Sequence, residues 1–226
     1  MAETIIYEKQ GNIVTMTLNR PDSLNAINRL LRRELGEALV EFDSDPEAYV
    51  AIITGAGRAF CSGRDLKERA DDNAQGLQVD ASHSMTKETP FMWPKTWKPL
   101  IAAVNGFALA GGWSIAQMCD LRIASEEAKL GISETRWSLL PPFGTILPKQ
   151  MNLASVLELV LTAQPVTAQR AYDMGFLNKV VPAADLMEEA IKFADESPLP
   201  DPLELYDDVY ASYPIDQMKR GVNMEI

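Results

Sequence analysis

Twice along this chain a β-rich apolar run passes through glycine into a helical pattern, and that confines it to folds in which strands and helices alternate. The first junction is Ala59-Phe60-Cys61-Ser62-Gly63-Arg64-Asp65-Leu66-Lys67-Glu68. The second is Asn105-Gly106-Phe107-Ala108-Leu109-Ala110-Gly111-Gly112-Trp113-Ser114, followed by Cys119-Asp120-Leu121-Arg122-Ile123-Ala124. Glycine before a helix lets the backbone approach a ligand closely. The unpaired N–H groups of the first helical turn then point at that ligand. One such junction is weak, because many loops are rich in glycine. Two in this order, with a further β-run after them, are much more specific.

The rest of the chain agrees with an α/β fold. MAETIIYEKQGN reads as an edge strand and turn, and Ile13–Leu18 as a strand with Val14, Met16 and Leu18 on one face. Pro21, Asp22 and Asn25 mark a turn. Leu31, Leu35, Ala38, Leu39 and Phe42 recur at helical spacing up to a turn at Asp43–Pro46. Tyr49–Thr54 is a short continuous apolar run, as in a strand buried on both faces. Residues 69–88 carry mixed charge and little periodicity, which predicts a mobile loop or loose helix. Pro99 opens a strand through LIAAVNGFAL, WSIAQMCD is helical, LRIA is a strand, and SEEAKLGISE reads as a connection. Beyond Pro141 and Pro142 the pattern is helical through Met187–Ala194, interrupted by a short strand and turn at GFLNKVVP. This divides the chain into a core over 1–194 and a C-terminal helical or oligomerisation segment over 195–226. That segment ends at MKRGVNMEI in what reads as mid-helix, so a continuation is expected.

Composition narrows the function classes. With 226 residues the chain can bury a core that needs no disulfides. A formal net charge of −11 without a basic stripe argues against nucleic acid as partner. No run is long enough to span a membrane and no secretory leader is evident, so a cytoplasmic location is expected. The two cysteines, Cys61 and Cys119, sit among apolar neighbours as reduced buried thiols would. A single histidine, His83, excludes triads or metal sets built on several histidines. No metal, flavin or nicotinamide site is visible. Met85, Phe91, Met92, Trp93 and Trp97 form an aromatic-rich stretch whose default explanation is core packing.

From Ile5 to about Ala194 the chain resembles the crotonase (enoyl-CoA hydratase/isomerase) superfamily, on NRPDSLNAI, FCSGRDLKE, AVNGFALAGG and CDLRIASEEAKLGISE. The resemblance implies a spiral of ββα units with a C-terminal helical region, assembled as a homotrimer or hexamer. It also implies an acyl-CoA thioester substrate, with coenzyme A entering as part of that substrate, and an enolate stabilised at the thioester oxygen. The two oxyanion amides then fall on Arg64 and Gly111. Backbone around Leu24 and Ala26, and around Ser62, Gly63, Asp65 and Leu66, with Gly112 beside them, is expected to cradle the CoA ester. The Arg64 side chain itself could be a solvated bystander. The aromatic-rich stretch would line the acyl pocket.

Hydratases of the family use two glutamates. The second falls on Glu134, and the first falls on Ser114, at the family separation of 134 − 114 = 20 residues. A hydroxyl cannot act as a base near neutral pH, so Glu134 would carry the proton alone. GGWS, SETRW and LPPFG look closest to the hydroxycinnamoyl-CoA hydratase-lyase branch, with Phe143-Gly144 departing from its pattern. That branch's phenol-binding tyrosine finds no counterpart, and Tyr206, Tyr210 and Tyr213 remain unassigned. A hydratase-type lyase is thus the leading reading. Isomerisation follows, then thioester or β-diketone hydrolysis, and from another class a non-catalytic CoA-ester binder. Ser114 could equally be a helix N-cap, and Glu134 a solvated turn residue.

Overall fold

The alternation of Val14, Met16 and Leu18 drives the first pairing: β1 (Ile5–Gln10) turns back antiparallel on β2 (Ile13–Leu18), whose even-numbered side chains are fully buried. The computed structural model describes residues 4–76, 96–141, 144 and 146–196. After β2, α1 (Arg29–Ser44) begins at Asn28, whose side chain accepts the N–H of Leu31, and it buries Leu31, Leu35, Ala38, Leu39 and Phe42 as predicted.

From there the chain repeats one manoeuvre. β3 (Val50–Gly55), β5 (Leu100–Val104), β7 (Leu121–Ser125) and β10 (Lys179–Val181) join a six-stranded sheet of order β1-β2-β3-β5-β7-β10, parallel from β2 onward. Each of the first three is followed by a short strand that crosses into a second sheet: β4 (Ala59–Cys61), β6 (Phe107–Leu109) and β8 (Lys129–Gly131). A two-residue strand, β9 (Val166–Thr167), closes that sheet antiparallel to β8. Helices α2 (Leu66–Ala74) and α3 (Gly111–Met118) follow β4 and β6. This is the spiral of ββα units expected from the resemblance. α4 (Leu147–Gln150), α5 (Leu153–Thr162), α6 (Ala168–Asp173) and α7 (Leu186–Glu196) complete the described residues.

The stretch predicted as one strand, LIAAVNGFAL, is two strands in different sheets. The break falls at Asn105-Gly106. A Cβ at Gly106 would collide with the carbonyl oxygen of Arg58. The Asn105 side chain accepts the N–H of Gly55 and donates to the carbonyl of Gly57, so the corner is bonded to the preceding one. SEEAKLGISE, predicted as a connection, contains β8. Residues 69–74 belong to α2, Gln75 and Gly76 form the turn after it, and 77–88 lie outside the described residues.

Both faces of the large sheet are covered, which explains the continuous apolar runs. On β3, Ala51 and Ile53 join the main core with Met16, Leu18, Phe42, Phe60 and Trp113, while Val50 and Ile52 pack with Ile101, Ile123, Leu186 and Ala190. The Trp113 ring stacks on Phe176 at 3.8 Å. No described helix is long and apolar enough to cross a membrane. Of the segment assigned to 195–226, all but the last two residues of α7 lie outside the described residues.

Candidate active site

Strands β4, β6 and β8 are adjacent and parallel, with Ala59 beside Phe107 beside Lys129. Their carboxyl ends therefore lie together, and the chain leaving them carries residues 62–65, 110–114 and 132–134. Every residue predicted to act chemically lies on one of these segments. Parallel sheets bind ligands outside their carboxyl ends because the connecting turns there expose backbone donors and helix N-termini.

The first segment is tied to residues 24–27, of which Leu24 and Ala26 were expected beside the same ligand. Ser62 N–H donates to the Leu24 carbonyl at 3.0 Å, Ile27 N–H to the Gly63 carbonyl at 2.8 Å, and Asp65 N–H to the Ile27 carbonyl at 3.0 Å. Ile27 and Arg64 form a parallel bridge. In extended chain successive N–H groups point to opposite sides, so the Arg64 N–H faces away from Ile27. Among the described residues it donates to no acceptor.

The second segment meets it there. A Cβ at Gly63 would stand 3.3 Å from the Gly111 nitrogen, and one at Gly111 would stand 3.8 Å from the Arg64 nitrogen. Gly111 is the first residue of α3, and the first intrahelical bond runs from Ser114 N–H to the Ala110 carbonyl. The N–H groups of Gly111, Gly112 and Trp113 are thus the helix's unpaired donors. Ala110 sits at φ 50 and ψ −115, a region costly for alanine. The structure thus brings the Arg64 and Gly111 amides side by side, with Gly63 packed on Ala110 and Gly112 on Cys61. A Cβ on Gly112 would overlap the Cys61 carbonyl.

The third segment supplies the carboxylate. Ala110 N–H donates to the Gly131 carbonyl at 2.9 Å, continuing the β6–β8 pairing, and Glu134 opens a 3-10 turn three residues later. Its Oε2 is buried without a hydrogen-bond partner among the described residues. Burial raises the Glu134 pKa above the usual carboxylate range, and the backbone amides of Glu134 and Ser133 only partly oppose this. The reading of Glu134 as a solvated turn residue does not hold. Nor is Ser114 an N-cap: that position is Ala110, and Ser114 lies one turn inside α3, buried to 5% exposure.

The remaining predicted residues take different parts. Leu24 adopts φ 50 and turns its carbonyl to Ser62. Ala26 is buried and its carbonyl accepts from Arg20. The Asp65 carboxylate caps α2 through the N–H groups of Lys67 and Glu68 and pairs with Arg20 at 2.9 Å, which holds its pKa low despite burial. What Asp65 offers a ligand is therefore backbone. Leu66 is exposed at the start of α2. Cys61 and Cys119 are buried free thiols, each pushed by burial up to about 12. Trp97, assigned to core packing, is fully exposed. His83, Met85, Phe91, Met92, Trp93, Pro142, Phe143, Tyr206, Tyr210 and Tyr213 lie outside the described residues.

Sequence reasoning named Asn25 only as a turn signal and did not single out Ile27. Asn25 is fully buried at φ 54, and its side chain accepts Arg20 N–H and donates to the carbonyls of Ala56 and Ala59. Asparagine's tolerance of left-handed backbone was a usable signal. For Ile27, whose Cδ1 abuts Gly111, there was none. A cavity of about 470 Å³ lined by Lys98, Asp120, Arg122 and Gln150 lies at the amino ends of β5 and β7, away from this constellation.

Residues 8–200 match the family described as enoyl-CoA hydratase/isomerase. An enoyl-CoA hydratase of Mycobacterium tuberculosis is 37% identical over 193 residues, covering 84% of this chain and 73% of the relative. A carnitinyl-CoA dehydratase of Proteus mirabilis is 36% identical over 199 residues, covering 87% and 75%. Among solved structures, a carnitinyl-CoA dehydratase of Mycobacterium avium superposes with a TM-score of 0.79 at 32% identity, covering 94% of this chain and 83% of that one. An enoyl-CoA hydratase of Mycobacterium tuberculosis gives 0.78 at 31% identity, covering 97% and 87%.

Proposed function

Because the chain belongs to the enoyl-CoA hydratase/isomerase family, we propose that it adds water across the double bond of an enoyl-CoA thioester, with Glu134 as its sole carboxylate base. The observation that carries this reading is the Oε2 of Glu134, buried and without a partner among the described residues, on the segment bonded next to the Gly111 turn. The thioester oxygen accepts from the Arg64 and Gly111 amides, which stabilise the enolate as it forms. Such a donor is worth about 3–4 kcal/mol of transition-state stabilisation in a dry site. Glu134 removes a proton from the attacking water and returns one to the α-carbon. The Ser114 hydroxyl helps place the water.

Coenzyme A enters within the substrate, along the backbone from Leu24 to Ala26 and from Ser62 to Leu66. A hydroxycinnamoyl-CoA, hydrated and then cleaved to an aldehyde, is the finer form of the proposal, supported by GGWS and SETRW. Isomerisation is the second reading, favoured by the serine at 114, because one base suffices for a 1,3-proton shift. The trimer or hexamer implied by the family resemblance would cover the exposed stripe Leu153, Leu157 and Leu161 on α5, which packs by the turn carrying exposed Trp137. A monomer by sedimentation overturns that part.

The test is incubation with crotonyl-CoA and feruloyl-CoA in separate reactions, read by mass spectrometry. Gain of one water, lost in Glu134→Gln while ester binding persists, is the expected result. Near-parental turnover by the variant overturns the mechanism, and vanillin from the second ester selects the lyase form.

A further inference from the structure

Ile27 touches both segments that carry the oxyanion amides. Its backbone pairs with the first: the Ile27 N–H donates to the Gly63 carbonyl at 2.8 Å, and the Ile27 carbonyl accepts the Asp65 N–H at 3.0 Å, one bond on each side of the Arg64 amide. Its side chain reaches the second. Outside the chain neighbours and helix of Gly111, the three atoms nearest the point where a Gly111 Cβ would stand are Ile27 Cδ1 at 2.8 Å, Gly63 Cα at 3.5 Å and the Arg64 nitrogen at 3.8 Å. The δ-methyl therefore fills the wedge between the two turns. Ile27 is buried to 3% exposure in the main core, and branching at Cβ leaves the methyl a single soft torsion by which to yield.

An oxyanion hole works when both donors meet one oxygen at about 2.7–3.1 Å, and a misplacement of about 1 Å can cost on the order of a hundredfold in rate. Neither turn fixes that spacing by itself. The first is placed by β4 and by its bonds to residues 24–27, the second by the β6–β8 pairing and the left-handed backbone of Ala110. Packing at the wedge joins them. We propose that Ile27 is a positioning residue whose δ-methyl is the spacer between the Arg64 and Gly111 amides. The inference rests on the thioester oxygen lying between those amides, as the hydratase reading has it, and not on the fate of the acyl group.

Butyryl-CoA labelled with carbon-13 at its carbonyl cannot be hydrated, and its infrared carbonyl stretch reports how strongly two amides polarise the thioester. The parental protein is expected to lower that frequency on binding. Ile27→Val removes the δ-methyl and should lose most of the lowering, with the dissociation constant changed by no more than about twofold. Ile53→Val, the same change at a fully buried position of the same core on β3, should keep it. Gly111→Ala puts its Cβ where the δ-methyl stands, so Ile27→Val with Gly111→Ala should recover lowering relative to Gly111→Ala alone. On whichever enoyl-CoA is hydrated, kcat should follow the same order, about tenfold down in Ile27→Val at unchanged KM. An undiminished lowering in Ile27→Val, an equal loss in Ile53→Val, or additive losses in the double variant overturns the inference. A parental protein that binds the ester without any lowering overturns the oxyanion pair and the spacer with it. The expected pattern with no enoyl-CoA hydrated supports the spacer and overturns only the hydratase reading.

Discussion

Ala110 donates its amide to the Gly131 carbonyl at 2.9 Å, and this bond carries the parallel pairing of β6 and β8 past its last ladder residues. Gly111 follows immediately on one side and Glu134 three residues later on the other. Amide and carboxylate are thereby delivered from neighbouring strand ends of one sheet, whose stiffness sets their relation.

Two adjacent glycines should separate function from folding. A Cβ on Gly111 meets the movable Cδ1 of Ile27 at 2.8 Å and intrudes beside the Arg64 nitrogen, whereas one on Gly112 overlaps the Cys61 carbonyl. Gly111→Ala should therefore fold and lose about a hundredfold or more in kcat. Gly112→Ala should destabilise by about 3 kcal/mol or fail to accumulate. Paired melting curves and kinetics check this; equal Tm losses in the two variants would contradict it.

Glu134 should cost the protein stability. Its folded pKa is raised, so between the unfolded and folded values the native state binds more protons than the unfolded one. Stability then falls as pH rises through that window and stays lower above it. Glu134→Gln should raise stability at pH 7 by on the order of 1 kcal/mol, a Tm gain of about 2–4 °C. The gain should vanish below the ordinary carboxylate range. Melting curves across pH decide, and a variant less stable at neutral pH counts against the burial argument.

Ser114→Ala should be the milder lesion. Loss of one buried hydroxyl hydrogen bond costs about 1 kcal/mol, roughly a fivefold fall in rate, against about 10²–10⁴ for loss of the proton carrier. Steady-state rates on whichever enoyl-CoA is hydrated give the comparison. Equal losses would make Ser114 as necessary as Glu134.

Asn25→Ala removes three hydrogen bonds from a fully buried side chain and leaves the carbonyls of Ala56 and Ala59 short of donors. A loss of about 3 kcal/mol is expected by urea unfolding. Because the same turn carries the Leu24–Ser62 bond, weaker ester binding should accompany it. A loss under about 0.5 kcal/mol would mean that the turn holds without this side chain.

Much of this was legible in the residues themselves. Helical spacing located α1 to within two residues at its start, and the apolar run at Tyr49–Thr54 announced a strand covered on both faces. The glycine junctions marked two turns leading into helices. These are local properties, written in periodicity and in which backbone angles and close approaches a residue allows. The resemblance to the crotonase superfamily, not local pattern, put the oxyanion amides on Arg64 and Gly111 and the carboxylate on Glu134. The sheet switch at Asn105-Gly106 was not legible, because a strand's residues do not say which sheet accepts their hydrogen bonds. Nor was the three-residue β8, too short for any period to emerge. Only the tertiary structure decided that Asn25 and Ile27 bond or pack against the two junctions, that the Asp65 carboxylate is occupied by Arg20 and a helix cap, that Ser114 is inside α3, and that the Glu134 Oε2 is buried without a partner among the described residues. Each of these depends on contacts between segments distant in sequence, and such contacts set the burial that shifts a pKa or exposes an amide.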